Sequence, residues 1–318
     1  MSGSEWAYCL AQFLFGIIFL VIGSSGLVEG ASAIAHRLRI RPLIIGLTVV
    51  AFGTSAPELF VTTGAVLRHS SGVAVGNVIG SNIANLGLIL AVVALIRPLR
   101  FDPKELIPQF FWMFGIYLLF SALFFWKQGI GRIEGAILFL ALVAYLFYSY
   151  KVRLIPEDQK VKPAKFNILA SLMFLLTGIF LLCIGADWLV KSGIKIAKAL
   201  GVSELVIGLS MIAIGTSLPE LAVSVYAGIK KKTAISVGNL IGSNIFNISG
   251  VIGIACLVRP IAMEFNELAV HILVMFGIAV VLPIFSRDYK ISRWEALILL
   301  LGFIAFVGYI YLQKGGIK

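Results

Sequence analysis

The chain has 318 residues, of which 60% are hydrophobic and only 13% are charged. A soluble domain is about 45–50% apolar and about 25% charged, so this composition excludes an ordinary soluble fold and indicates a membrane protein. The net charge of +11 does not indicate nucleic-acid binding. The basic residues lie in short loops between apolar segments, where they report the orientation of the chain in a bilayer.

Apolar segments of about 20 residues recur along the chain, and a helix of that length crosses a hydrocarbon core of about 30 Å. The first segment lacks the basic start and the cleavage pattern of a secretory signal peptide, so it is expected to remain as a spanning helix. The sequence therefore predicts an all-α integral membrane protein with ten transmembrane helices in a lipid bilayer. The predicted spans are 10–29, 42–66, 73–96, 106–126, 132–150, 166–190, 204–228, 235–258, 268–285 and 293–312.

The basic residues are distributed unevenly between the two sides of these spans. Seventeen lie on the side that the chain reaches after the first span, and nine lie on the opposite side. The positive-inside rule then predicts that both termini are extracellular and that the segment 151–165 is a cytoplasmic linker.

One unit of the sequence occurs twice. At an offset of 162, residues 46–98 align with 208–260 without a gap, and 23 of the 53 positions are identical. Because the repeated unit is about five spans long, its second copy starts from the other side of the membrane. This predicts two inverted five-helix repeats, at 1–150 and 166–318. Inverted repeats are typical of secondary transporters, which bind their substrates near the midplane between the repeats.

Two glutamates, Glu58 and Glu220, lie deep within the second and seventh predicted spans. A charge at the centre of a spanning helix costs about 2.5–3.5 kcal/mol on insertion scales, and a bound cation would offset that cost. The same pattern precedes both, GTSAPE and GTSLPE. Its prolines, Pro57 and Pro219, each remove a helical hydrogen bond and predict a bend. The alternative is a pair of structural carboxylates, protonated or bonded to neighbouring helices.

Other oxygen-bearing groups accompany each glutamate. The bend is expected to expose backbone carbonyl groups. The third and eighth predicted spans each carry three polar residues at intervals of four, which places the three on one face of the helix. Carboxylate, hydroxyl, amide and carbonyl oxygens are together a ligand set for a hard cation. The predicted ligands are Ala51, Thr54, Ser55, Glu58, Ser81, Asn85, Ala213, Thr216, Ser217, Glu220, Ser243 and Asn247, with Asn77, Asn239, Pro57 and Pro219 in support.

Several residues near these motifs are expected to have structural roles. Asn82 and Asn244 lie off the polar stripes, which favours a structural or capping role. Asp187 is expected to form an ion pair or a hydrogen bond rather than to act as a ligand. The glycines of the first and sixth spans suit sliding of these two helices against the others. These glycines are Gly16, Gly23, Gly178 and Gly185.

The pairs GTSAPE with GSNIAN and GTSLPE with GSNIFN resemble the calcium/cation antiporter superfamily, which includes prokaryotic sodium/calcium exchangers. The resemblance covers both motifs and the ten-span layout. It implies that the threonines, serines and glutamates named above ligate ions, with help from the carbonyls of Ala51 and Ala213. Prokaryotic sodium/calcium exchangers can pair an asparagine in the first repeat with an aspartate in the second, whereas Asn85 and Asn247 are both amides here. The identity of the counter-ion, sodium or proton, therefore stays open.

The main hypothesis is a secondary active antiporter that exchanges Ca²⁺ for Na⁺ by alternating access, with H⁺ as the alternative counter-ion. A cation channel is a second hypothesis. An intramembrane hydrolase is a third, which is disfavoured because the two glutamates share identical flanks and lack a nucleophile. The chain is thus expected to be a transporter and not an enzyme, to need no cofactor, and to act as a monomer in a prokaryotic cell membrane.

Overall fold

The structure is a computed structural model, which describes residues 3–100, 102–127, 129–154, 166–199, 215–262, 265–285 and 289–313. Over these residues the chain is almost entirely helical. Its helices are α1 (Gly3–Arg37), α2 (Pro42–Thr54), α3 (Ala56–Leu67), α4 (Ser71–Ile96), α5 (Pro103–Lys127), α6 (Arg132–Lys151), α7 (Ile168–Ala199), α8 (Leu218–Ile229), α9 (Thr233–Val258), α10 (Phe265–Phe285) and α11 (Arg293–Gln313). Three of them contain a π-helical segment, at Gly46–Val50, Asn85–Ile89 and Phe246–Ile252.

In the part of the chain that is described, eight helices are long and apolar enough to cross a membrane, and the bent pair α2 and α3 forms a ninth span if it is counted as one. The helical membrane fold is therefore confirmed. Helix α8 occupies the position in the second repeat that α3 occupies in the first. The residues at 200–214 and most of the linker, at 155–165, lie outside the described residues, so the count of ten spans stays a prediction.

Short antiparallel contacts join loops that the predicted order of spans places on the same side of the membrane. Strand β1 (Leu99–Arg100) pairs with β4 (Lys290–Ile291), and β2 (Gly129–Ile130) pairs with β3 (Ile261–Ala262). A single bridge joins Ile40 to Leu154. An even number of predicted spans separates the two members of each pair, as the predicted topology requires.

Helices α1 and α7 pack along each other at very short distance because glycines face each other across the contact. A Cβ atom built on Gly16 would lie 3.0 Å from the backbone oxygen of Gly185, and one on Gly23 would lie 2.9 Å from that of Gly178. A larger residue at any of these positions would push the two helices apart. The sequence analysis expects these glycines to suit sliding of α1 and α7 against the other helices. The structure places them in the contact between α1 and α7 themselves, and their role in sliding stays a prediction.

The apolar interior is divided into two clusters. The larger one is formed mainly by α4, α5, α6, α9, α10 and α11, and it includes the fully buried aromatic residues Tyr117, Phe120, Phe124 and Tyr145. The smaller one joins α1 and α7 to α2, α8 and the start of α9. Large apolar side chains such as Phe60 and Trp126 are exposed on the outer surface, as expected for residues that contact lipid.

Candidate functional site

The chain bends where Pro57 predicts a bend. Helices α2 and α3 meet at an angle of 45° across Ser55, whose backbone has left the helical region at φ −82° and ψ 4°. Ser217, directly before α8, has nearly the same conformation, at φ −86° and ψ 5°. Pro57 and Pro219 lie in the first turn of the following helices, where a missing N–H group is tolerated. Each glutamate therefore lies in the first turn after a break.

Glu58 and Glu220 are both completely buried. Oε1 of Glu58 accepts hydrogen bonds from the hydroxyls of Ser81 at 3.3 Å and Ser217 at 3.5 Å. Oε1 of Glu220 accepts hydrogen bonds from Ser243 at 3.4 Å and Ser55 at 3.3 Å. Each carboxylate thus contacts one hydroxyl from its own repeat and one from the other. The two glutamates and their hydroxyl groups form one cluster that the two repeats build together.

The threonines of the two motifs cross the interface between the repeats in the same way. Oγ1 of Thr54 donates to Oδ1 of Asn239 at 3.0 Å, and Oγ1 of Thr216 donates to Oδ1 of Asn77 at 3.1 Å. Thr54 also lies 3.2 Å from the hydroxyl of Ser243. These contacts hold α2 against α9, and they hold the segment directly before α8 against α4. They place the threonines beside the glutamates.

Two residues that the sequence analysis missed anchor the supporting amides. Nδ2 of Asn77 donates to the hydroxyl of Thr62, and Nδ2 of Asn239 donates to the hydroxyl of Ser224, both at 3.1 Å. Thr62 and Ser224 each lie four residues after a glutamate, on the same helix face, and they are separated by the repeat offset of 162. This spacing could have identified both residues from the sequence.

Several buried polar atoms of the predicted ligands have no hydrogen-bond partner among the described residues. They are Oε2 of Glu58, Oε2 of Glu220, Oδ1 of Asn247, and both Oδ1 and Nδ2 of Asn85. An unpartnered buried polar atom costs about 1–3 kcal/mol, and more if it is charged. Four of these five atoms are oxygens on predicted ligands, which is the arrangement that a bound cation would satisfy.

The prediction that the bend frees the carbonyl group of Ala51 is wrong. Its oxygen accepts the backbone N–H of Ser55 at 2.9 Å and is also 3.3 Å from the hydroxyl of Thr54. A carbonyl oxygen has a second lone pair, so its role as an ion ligand stays a prediction. Ala213, the corresponding residue of the second repeat, lies outside the described residues.

Residues near the site have the structural roles that were expected of them. Asp187 forms an ion pair with Lys191, at 2.9 Å between Oδ1 and Nζ. Nδ2 of Asn82 donates to the backbone oxygen of Asn244 at 3.2 Å, so these two amides join the repeats. The hydroxyl of Tyr117 donates to Oδ1 of Asn244 at 2.9 Å. The sequence analysis missed Tyr117, because the second repeat has no tyrosine at the corresponding position.

A multi-helix membrane protein that buries two carboxylates among hydroxyl and amide groups belongs to the class of membrane ion transporters. The sequence matches the family described as sodium/calcium exchanger protein over residues 8–151 and 170–312. These matches span most of the chain, which therefore belongs to the sodium/calcium exchanger family and is an antiporter of calcium and another cation.

Individual proteins show the same similarity. The chain is 34% identical to the sodium/calcium exchanger MaX1 of Methanosarcina acetivorans over a gapped alignment of 342 positions, which covers 92% of this chain and 96% of MaX1. It is 34% identical to the inner membrane protein YrbG of Escherichia coli over 316 residues, covering 95% and 96% of the two chains. A solved structure of the sodium-calcium exchanger NCX_Mj matches at a TM-score of 0.82 and 31% identity, over 95% of this chain and 98% of that one.

Proposed function

We propose that this antiporter exchanges Ca²⁺ for Na⁺ and that the exchanged ions bind at the buried cluster around Glu58 and Glu220. When both carboxylates are ionised, their two negative charges balance one calcium ion. The observation that carries the proposal is the set of buried oxygens on Glu58, Glu220, Asn85 and Asn247 that have no hydrogen-bond partner in the described part of the chain. Such atoms are costly in an apolar interior unless a cation contacts them.

The ligand set is the one predicted from the two motifs. The hydroxyls within hydrogen-bond distance of the carboxylates supply further hard oxygen ligands, which suit Ca²⁺ and Na⁺. Asn77 and Asn239 hold the threonines in place, and Pro57 and Pro219 break the helices before the glutamates. The proposed ligands are Thr54, Ser55, Glu58, Ser81, Asn85, Thr216, Ser217, Glu220, Ser243 and Asn247, with carbonyl contributions from Ala51 and Ala213.

Two considerations favour sodium as the counter-ion. The relative MaX1 and the structural neighbour NCX_Mj are both sodium/calcium exchangers by name, and the similarity covers at least 92% of this chain in each case. In addition, the number of side-chain oxygens suits more than one small cation. Exchange against protons is the second candidate, because Asn85 and Asn247 leave the cluster with two carboxylates rather than three.

Transport by alternating access would use the pair α1 and α7 as the moving element. The pair packs through glycines, and it meets the other helices through its own apolar cluster, separate from the main core. Such an interface suits a sliding or rocking motion. By the positive-inside rule both termini lie outside the cell, and the protein acts as a monomer in a prokaryotic cell membrane.

The experiment is uptake of calcium-45 into proteoliposomes that contain the purified protein. Calcium flux is measured at fixed pH with and without an outward sodium gradient, and then with a proton gradient and no sodium. Potassium and valinomycin clamp the voltage in every case. Sodium-driven uptake supports the proposal. Uptake that follows the pH gradient without sodium moves the protein to proton exchange, and calcium flux without any counter-ion indicates a channel.

The membrane potential gives a second readout. If three sodium ions exchange for one calcium ion, one charge crosses per cycle, which is worth about 2.3 kcal/mol per 100 mV. Sodium-driven uptake should then change when the clamped potential changes. Exchange of two protons for one calcium ion moves no net charge and should not respond.

A further inference from the structure

Two of the proposed ligands, the amides Asn85 and Asn247, are held differently although they are equivalent in the repeat. Nδ2 of Asn247 donates to Oδ1 of Asn82 at 3.0 Å, whereas neither amide atom of Asn85 has a hydrogen-bond partner among the described residues. Both side chains are completely buried. The orientation of the Asn247 amide is therefore fixed by a neighbour, whereas no residue in the described part of the chain fixes that of Asn85.

The backbone carbonyl of Asn244 fixes the orientation of the side-chain amides of Asn82 and Asn247. Nδ2 of Asn82 lies 3.2 Å from the backbone oxygen of Asn244, which can only accept a hydrogen bond. Asn82 must therefore turn its NH₂ group to that carbonyl and its Oδ1 to Asn247. Asn247 must in turn present its NH₂ group to Asn82, so its own Oδ1 faces away from Asn82 and has no hydrogen-bond partner among the residues that the structure describes.

The other repeat lacks this arrangement because Asn244, the counterpart of Asn82, is engaged elsewhere. Its Nδ2 donates to the backbone oxygen of Leu240 at 2.7 Å, and its Oδ1 accepts the hydroxyl of Tyr117 at 2.9 Å. At the repeat offset Ala279 is the counterpart of Tyr117, so the second repeat has no hydroxyl at this position to bond Asn82. Tyr117 and Leu240 thus fix the orientation of the Asn244 amide, which makes no hydrogen bond to Asn85.

We propose that Asn82 is a positioning residue that holds the Oδ1 atom of Asn247 toward the bound cation. Asn247 is then a fixed oxygen ligand, and Asn85 is a ligand that rotates to suit the ion present. A ligand held in its bound orientation loses less conformational entropy when the ion binds, which favours binding. The proposal rests on the proposed function, because it assigns a role to Asn82 within the same ion site.

The test is calcium binding to the purified full-length protein, measured by equilibrium dialysis with calcium-45. Asn82→Ala removes the acceptor for Asn247 and should raise the calcium dissociation constant about five- to tenfold, the range expected for one lost hydrogen bond. Asn244→Ala is the matched control from the other repeat. Its amide does not contact Asn85, and its backbone oxygen is retained, so the dissociation constant should change less than about twofold.

A double-mutant cycle separates positioning from a general structural effect. In an Asn247→Ser background no amide remains to be oriented, so adding Asn82→Ala should raise the dissociation constant less than about twofold further. Thermal unfolding without calcium checks that each variant is folded. If Asn82→Ala does not fold, Asn82→Ser replaces it, because the serine hydroxyl can still bond the Asn244 carbonyl. The calcium dissociation constant is expected to rise about five- to tenfold in this variant, as for alanine.

The outcomes are distinct. An unchanged dissociation constant in Asn82→Ala, an equal rise in Asn244→Ala, or an undiminished effect in the Asn247→Ser background would each overturn the positioning role. In all three cases the wild-type protein still binds calcium, so the proposed function stands. Failure of the wild-type protein to bind calcium would overturn the proposed site and the positioning role together.

Discussion

Replacement of Glu58 by glutamine tests the proposed ion site most directly, because it removes charge and almost no volume. Oε1 of Glu58 accepts hydrogen bonds from Ser81 and Ser217 at 3.3 and 3.5 Å, and the glutamine oxygen can accept both. Two unit charges at 4 Å attract by about 4 kcal/mol at an effective dielectric constant of about 20, so a divalent ion gains about 8 kcal/mol from one carboxylate.

The glutamine oxygen remains a ligand, so we take half of this attraction as the loss. A loss of about 4 kcal/mol corresponds to a rise of about a thousandfold in the calcium dissociation constant. The assay is thermal unfolding with and without calcium. Calcium at about 100 times the wild-type dissociation constant should stabilise the wild-type protein by about 2.7 kcal/mol, and the variant by only about 0.1 kcal/mol.

Glu134→Gln is the matched control. Glu134 is also a buried carboxylate, but it lies outside the cluster, and its Oε1 is 2.6 Å from Nζ of Lys127. This variant should keep the full calcium-dependent stabilisation even if its baseline stability falls. Full stabilisation by calcium in Glu58→Gln, or calcium uptake at the wild-type rate, would refute the reasoning that Glu58 balances the charge of the ion.

Three further predictions concern the surroundings of the site. Thr62→Val removes the acceptor for Asn77 and should raise the KM for calcium uptake about two- to tenfold; an unchanged KM would contradict its anchoring role. Gly178→Val places a side chain against the backbone of Leu27 and should abolish uptake while the protein remains folded; normal uptake would show that this packing is not needed. Lys230→Cys, in a background without the three native cysteines, should not be labelled by an impermeant thiol reagent applied to intact cells, because residue 230 is predicted to be cytoplasmic. Labelling from outside would show that the predicted topology is inverted.

Much of the site could be predicted because a charge in an apolar span is rare and costly. Glu58 and Glu220 stand out for that reason, and the 162-residue offset identifies their equivalent neighbours. Intervals of three and four residues then place Ser55 and Ser81 on faces that reach a carboxylate, and the structure shows both near one. These inferences need only the period of a helix and the location of the spans.

The contacts between repeats could not be predicted from that information. Helical periodicity tells which residues share a face, but it does not tell which helix lies opposite that face. Ser55 contacts Glu220 rather than the nearer-in-sequence Glu58, and Thr54 contacts Asn239 rather than Asn77. Tyr117 is one of nine tyrosines and has no repeat-related partner, so nothing in the sequence distinguishes it.

The incorrect expectation for Ala51 has a simple geometric cause. A proline removes the N–H group that would bond the carbonyl four residues earlier, and for Pro57 that carbonyl belongs to Gly53. The carbonyl of Ala51 pairs instead with the N–H group of Ser55, which the proline does not affect. The bend lies after that bond, so the last helical turn before it remains intact.

The hydrogen bonds to Glu58 and Glu220 occur in repeat-related pairs, whereas the bond between Asn82 and Asn247 and some contacts farther from the glutamates do not. If the two repeats exchange conformations during alternating access, a paired contact is made in both access states and contributes little to their difference in energy. Helix α1 contacts the second repeat through Ser25 with Tyr226 and through Glu29 with Lys232, both at 2.9 Å. The repeat-equivalent positions are Asp187 with Gly64 and Lys191 with Ser70.

Glycine offers no side chain to Asp187, and Lys191 already pairs with Asp187 on its own helix. The contacts made by Ser25 and Glu29 therefore have no counterparts at the equivalent positions of α7 and the first repeat. They stabilise the present position of α1, and no equivalent contacts among the described residues stabilise the corresponding position of α7. If the repeats exchange conformations as proposed, this contact between α1, α8 and the start of α9 favours one access state over the other. The repeat-related contacts around Glu58 and Glu220 would then be available in both states, as the proposed exchange requires if neither state is to trap the ion.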